Sequence, residues 1–345
     1  MTMLDRINKF IVKRFFPFKD WVSELRNPKI LQADIIAGIT VALVIVPQSM
    51  AYAQLAGLPP YYGLYASFLP VAIASIFGSS RQLATGPVAV VSLLTAAALE
   101  PIASNDPAGY VAYAIMLAFL VGAFQLSLGL LRMGVLVDFL SHPVVTGFTN
   151  AAAIIIATSQ LSKLFGVSVS SQEHHYQTVM NVLSESLINT HTPTLLMGLL
   201  AIFIILLFRK ISNKYPAVLI SVVITTFISW YIKFEINYEG KVIGVVPDGL
   251  PAMQLPQIDF NQLINLGTVA IAISLIGFME AISIAKAMAT QTKQRLDADQ
   301  ELIGQGLSNL AASFFQGYPV SGSFSRSAVN ISAGAVTGFS CVVTG

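Results

Sequence analysis

Ten runs of apolar residues recur along the chain, each close to the roughly 20 that carry an α-helix across a bilayer. They lie near 35–55, 62–78, 83–99, 110–131, 143–165, 193–209, 216–232, 263–288, 300–316 and 323–337. A chain that is 55% hydrophobic and 10% charged, with a mean hydropathy of +0.72, lacks the polar surface of a soluble domain of this length. The sequence therefore predicts an all-α, polytopic membrane protein. Several runs are interrupted by Pro or Gly, and the tenth contains an arginine, Arg326.

Charge sets the expected orientation. When the runs alternate from a cytoplasmic N-terminus, 15 of the 19 Lys and Arg fall on the cytoplasmic side. Only Lys163, Lys233 and Lys241 face outward. Residues 1–33 are basic, with Phe10, Phe15, Phe16, Phe18 and Trp21 interleaved, and predict an amphipathic helix on the inner face of the bilayer, with no secretory signal. The polar stretch 168–191 predicts an outer loop with a short surface helix, and the Gly- and Pro-rich stretch 239–259 an irregular external link.

Three segments break the helical pattern. Pro47, in the middle of the first run, removes a backbone donor, and Gln48 and Tyr52 follow it one turn apart on the same face. In the third run Thr85-Gly86-Pro87-Val88 delays the helix until after Pro87. In the tenth, Pro319 and Gly322 impose an extended approach and the helix is expected over Ser325–Ala335, with Ser325 and Arg326 in its first turn. Two discontinuous helices of opposite sense point to an inverted-repeat transporter whose site lies between them. Free N–H groups, positive dipole ends and a guanidinium at one depth describe an anion site. Glu280, deep in the eighth run, is a second ionisable group inside the membrane and so a second functional candidate.

Each residue has a plainer reading. Arg326 could anchor its helix by pairing with Glu280, which would then be a permanent counter-ion. Gln48 and Tyr52 could be ordinary interhelical hydrogen-bonding groups. Val88 would supply apolar wall and a backbone N–H. His174 and His175 are adjacent in a polar loop with no third ligand, so no metal site is expected. Cys341 is the single cysteine and supports neither a disulfide nor a thiolate site. Asn330-Ile-Ser332 matches a glycosylation sequon but lies inside a run, and Gly304-Gln-Gly306 follows no strand and is no nucleotide motif. Asp34, Asp297 and Asp299 read as marks of cytoplasmic helix ends. No nucleophile–base pair, HExxH or twin-Asp arrangement is visible, so an enzyme is not expected, nor is a cofactor or a nucleic-acid partner.

Val46-Pro-Gln-Ser-Met-Ala-Tyr-Ala53 followed by Leu55-Ala-Gly-Leu-Pro-Pro-Tyr-Tyr-Gly-Leu-Tyr65 resembles the signature of the sulfate permease (SulP) anion transporters. Gly78-Ser-Ser-Arg81, Thr85-Gly-Pro87, Leu302-Ile-Gly-Gln-Gly306 and the Ser-Phe-Ser-Arg-Ser run at 323–327 resemble further motifs of that family. The resemblance implies fourteen segments in two inverted repeats of seven, divided into a core and a gate and followed by a cytoplasmic STAS domain. On that plan residues 1–33 are the cytoplasmic N-terminal segment, 34–238 the first repeat, 239–259 the external linker, and 260–345 the partial second repeat, with the last segments and the STAS domain absent from this chain. The resemblance also assigns substrate contact to Gln48, Tyr52, Val88, Ser325 and Arg326, and sets Glu280 in the segment beside them. Burial disfavours an ionised carboxyl while Arg326 favours it, so an anion that occupies Arg326 should raise the proton affinity of Glu280, and proton coupling is expected there. The resemblance implies a homodimer in the cell (inner or plasma) membrane and favours sulfate, and with the Glu280 coupling the expectation is proton-coupled symport by alternating access. A bicarbonate or dicarboxylate transporter, an uncoupled exchanger or channel, and a nucleobase transporter of the same architecture are the alternatives.

Overall fold

The computed structural model describes residue 14 and residues 16–103, 106–135, 142–169, 175–211, 217–257 and 259–345. Phe10 and Phe15 of the expected amphipathic segment, and His174, lie outside the described residues. These residues form two compact units, one drawn from 1–141 with 247–345 and the other from 142–246.

Much of the expected amphipathic segment lies outside the described residues, and among the described residues the first unit has single turns at Lys19–Val22 and Ser23–Arg26. Asn27 ends them in an extended conformation, and its side chain accepts from the Lys29 N–H at 3.1 Å while Pro28 occupies the first helical position. This start produces α1, Pro28–Leu55, a 28-residue helix with Pro47 inside it. The second run is divided into α2, Tyr61–Ser67, and α3, Leu69–Phe77, where Phe68 leaves helical geometry and Pro70, in the first turn of α3, has no N–H with which to continue the α2 ladder. The third run begins extended, as β1, Ala84–Gly86, and then becomes α4, Ala89–Ala103. Asp106 caps α5, Pro107–Leu130.

In the second unit come α6, His142–Ser159, α7, Leu161–Phe165, α8, His175–Asn189, α9, Thr192–Ile211, α10, Ala217–Tyr231, and α11, Phe234–Tyr238. α9 and α10 are joined by the Ser221 hydroxyl, which donates to the Ala201 carbonyl at 3.0 Å. α8 is the surface helix expected within 168–191, and the His175 ring meets the Thr158 hydroxyl at 2.7 Å.

Residues 239–257 carry no regular secondary structure, as their Gly and Pro content predicts. The chain then returns to the first unit with α12, Leu263–Thr292, and α13, Ala298–Phe314, which Asp297 caps at 3.1 Å. The tenth run is again broken: β2, Ser321–Ser323, precedes α14, Phe324–Ser332, and α15, Phe339–Thr344, closes the chain. α14 starts one residue earlier and stops three residues earlier than the sequence predicts, with Gly334 beyond its end at φ +98°. Among the described residues four helices, α1, α5, α9 and α12, are long and apolar enough to cross a membrane. The remaining runs fold as shorter or divided helices.

Asp34 departs from expectation. It is fully buried on α1, and its carboxylate accepts from the Val336 and Thr337 N–H groups at 2.7 and 3.1 Å and from the Thr337 hydroxyl at 2.5 Å. It therefore secures the turn that leads into α15. Its position in the second turn of an apolar helix gave no sign of a partner 302 residues away.

Candidate functional site

β1 and β2 pair antiparallel, with Ala84 opposite Ser323, Thr85 opposite Gly322 and Gly86 opposite Ser321. The pair is three residues long. α4 starts beyond one end of it and α14 beyond the other, so two helix N-termini flank the crossing. The Ser323 side chain caps α14 by accepting from the Arg326 N–H at 3.4 Å. The crossing is held against α12, where the Ser321 hydroxyl donates to the Gly277 carbonyl at 2.7 Å. Its other side is held by α14 itself, since the Ala84 N–H donates to the Ser327 hydroxyl at 2.9 Å.

Arg326 occupies this crossing and has no solvent exposure. Its Nη1 donates to the Pro87 carbonyl at 2.8 Å, so the α14 cation reaches the start of α4. Its Nε and Nη2 have no hydrogen-bond partner. A Cβ on Gly86 would stand 3.2 Å from Nη2 and 3.2 Å from Ile45 Cδ1, which places α1 against the same guanidinium. Tyr52, Tyr318, Glu280 and Cys341 lie near enough to Arg326 to act on its charge. No nitrogen–oxygen approach within 4.0 Å joins Arg326 to Glu280, so the two are not a closed ion pair.

The other expected residues distribute unevenly. Gln48 lies one turn after Ile45 on α1, is half-buried, and keeps a buried Oε1 with no donor. Tyr52 is half-buried on the same helix. Glu280 on α12 has a buried Oε2 without a partner. Val88 is 5% exposed and joins the core cluster that includes Tyr318. Ser325 is exposed, with its hydroxyl 3.3 Å from that of Ser323. The structure thus brings Pro87 and Gly86 against Arg326, with Tyr52 and Glu280 near enough to act on its charge.

Tyr318 and Ser92 carry no predicted role, yet the fully buried Tyr318 hydroxyl sits 3.2 Å from the Ser92 hydroxyl of α4. The only sequence sign was the position of Tyr318 directly before Pro319. Asn330 is fully buried, with its amide donating to the Gln82 carbonyl at 3.2 Å, a placement no glycosylation enzyme could reach. Among the described residues no group of three His, Cys, Asp or Glu side chains could hold a metal ion.

Chemically, a buried guanidinium with two free donor nitrogens between two helix starts is fitted to an anion of small size. Comparison with known proteins bears on this directly, because the description of the sulfate permease family matches residues 31–345. The chain belongs to the sulfate permease family. Among sulfate permease relatives, the chloroplastic sulfate transporter 4.1 of Arabidopsis thaliana is 39% identical over 342 residues, covering 97% of this chain and 49% of that protein. The chain thus spans about half the length of that relative. The structure of SLC26A9 superposes with a TM-score of 0.92 at 23% identity, over 99% of this chain and 57% of that one, and shows the fold. The transmembrane domain of BicA, a cyanobacterial bicarbonate transporter, superposes with a TM-score of 0.78 at 25% identity, over 91% of this chain and 80% of that one. The family and the helical membrane fold with two broken segments expected from the sequence are both met.

Proposed function

We propose that this chain forms the anion-binding part of a secondary transporter that carries sulfate across the membrane by alternating access. The observation that carries the reading is Arg326, fully buried at the β1–β2 crossing with Nε and Nη2 unpartnered. A buried donor without an acceptor is costly, and a buried cation more so, unless a ligand supplies the acceptors. A tetrahedral dianion offers several oxygens to a guanidinium fork and to helix N–H groups. Gln48 and Tyr52 approach from α1, and Val88 closes the apolar side. The name of the Arabidopsis relative supports sulfate. Bicarbonate is the second reading, favoured by the likeness to the BicA transmembrane domain.

Proton coupling is assigned to Glu280. It is electrostatically linked to Arg326 without being locked to it. An anion on the guanidinium screens the field that Arg326 exerts at Glu280, so anion binding and protonation of Glu280 reinforce each other. The same reading places the N-terminus in the cytoplasm and the transporter, as a homodimer, in the cell membrane.

Radiolabelled sulfate uptake by the full-length protein in proteoliposomes tests this. Uptake should be driven by an inward proton gradient in the wild type and lose that drive in Glu280→Gln. Uptake indifferent to the gradient in both would overturn symport in favour of exchange, and uptake of bicarbonate but not sulfate would move the substrate to the second reading.

A further inference from the structure

The β1–β2 pair is short for the accuracy demanded of it. Isolated two-stranded pairs are marginally stable. Slipping the register by one residue moves the chain by about 3.3 Å, reverses which side chains face Arg326, and is more than a hydrogen bond tolerates. Something outside the pair must pin it.

α13 carries Glu301, Gln305 and Asn309 at four-residue spacing, which sets them on one helical face. Their exposures are 1%, 1% and 0%. Gln305 and Asn309 end on the two extended legs, and Glu301 on the bend that leads into β1. Glu301 Oε2 accepts from the Ser79 and Ser80 N–H groups, both at 2.9 Å. Gln305 Nε2 donates to Glu301 Oε1 at 3.1 Å and to the Thr85 hydroxyl at 2.9 Å, one residue before Gly86. Asn309 grips the other leg at both backbone groups of Val320: its Oδ1 accepts from the N–H at 2.8 Å and its Nδ2 donates to the carbonyl at 3.0 Å. Val320 directly precedes β2. A carboxylate and two amides are costly to bury, and apolar side chains would dock α13 as well if docking were all that was required.

We propose that Glu301, Gln305 and Asn309 are positioning residues that fix the register of the β1–β2 crossing and so hold the Pro87 carbonyl and Arg326 in the geometry that binds the anion. The role rests on the anion site proposed above. It is exerted from a helix that supplies none of the predicted substrate contacts, and it makes anion affinity depend on Thr85 and Val320 through partners that never meet the anion.

The test is isothermal titration of the purified full-length protein with sulfate, and in parallel with bicarbonate, for wild type, Arg326→Gln, Thr85→Val, Gln305→Leu and Asn309→Leu, with unfolding temperatures measured alongside. Thr85→Val keeps shape and strand preference while deleting only the acceptor for Gln305, so it tests the same link should Gln305→Leu fail to fold. Folded Thr85→Val should bind the anion about tenfold more weakly, the factor corresponding to one buried hydrogen bond, and Asn309→Leu, which removes both bonds to Val320, at least as weakly. Combining Thr85→Val with Gln305→Leu should weaken it no further than the stronger single change. Folded variants that keep wild-type affinity, whatever their unfolding temperatures, would overturn the positioning role while Arg326→Gln still reports the site. Wild-type protein that binds neither anion, and is indistinguishable from Arg326→Gln, would overturn the site reading and the positioning role with it.

Discussion

Gly86 shows how little room the crossing leaves. Its φ of +148° belongs to a region that side chains other than hydrogen rarely adopt, and an added Cβ would come within 3.2 Å of both Arg326 Nη2 and Ile45 Cδ1. Gly86→Ala should therefore strain the backbone by about 1–3 kcal/mol and push on the guanidinium itself. The expected outcome is a lower unfolding temperature together with weaker anion binding by calorimetry; unchanged affinity in a folded variant would separate the backbone from the site. At this scale the sequence reveals charges and breakers well. Arg326, Glu280, Pro87 and Gly86 are visible because a charge or a helix breaker inside an apolar run has few innocent explanations. Glu301 and Gln305, at the start of the ninth run and inside a quoted motif, and Asn309 carry no predicted role, because their partners at Ser79, Thr85 and Val320 lie outside α13, in other segments of the chain. Asp34 is opaque for the same reason: its partners, the Val336 and Thr337 N–H groups and the Thr337 hydroxyl, lie 302 and 303 residues away in sequence.

Elements constrain one another through close backbone approach. α5 and α13 pack so tightly that a Cβ on Gly122 would lie 2.6 Å from the Leu310 nitrogen and 2.8 Å from the Gly306 carbonyl oxygen, both backbone atoms that cannot swing aside. Small residues at such contacts let membrane helices gain dispersion and carbonyl contacts that larger ones forbid. Gly122→Ala should separate the two helices and cost about 1–3 kcal/mol by overpacking, read as a lower unfolding temperature in detergent. An unfolding temperature equal to that of the wild type would mean that the helices can part freely at this point. Because α13 also carries the row that grips both extended legs, the same substitution should loosen the anion site from a distance. The long runs α1, α5, α9 and α12 were legible by length and hydropathy alone. The division of the second run at Phe68 was not, since an apolar stretch reads the same whether it forms one helix or two.

For the molecule as a whole, orientation is the property that the charges predict and that chemical labelling can decide. Fifteen of 19 Lys and Arg on one side amount to a strong bias toward a cytoplasmic N-terminus. Two exposed positions fall on opposite sides of that plan: Asp248 in the irregular stretch and Gln291 at the end of α12. The single native cysteine, Cys341, is fully buried, with the Asn330 amide 3.4 Å from its sulfur, so it should remain silent toward a membrane-impermeant maleimide. In intact cells the reagent should label Asp248→Cys and spare Gln291→Cys, which should react only after permeabilisation. The opposite pattern would invert the whole molecule, placing Glu280 and Arg326 in the same relation to each other but reversing which compartment each broken helix faces. Labelling of both in intact cells would mean that α12 does not cross the bilayer, and an α12 that failed to cross would remove the membrane setting on which the buried charge of Arg326 depends.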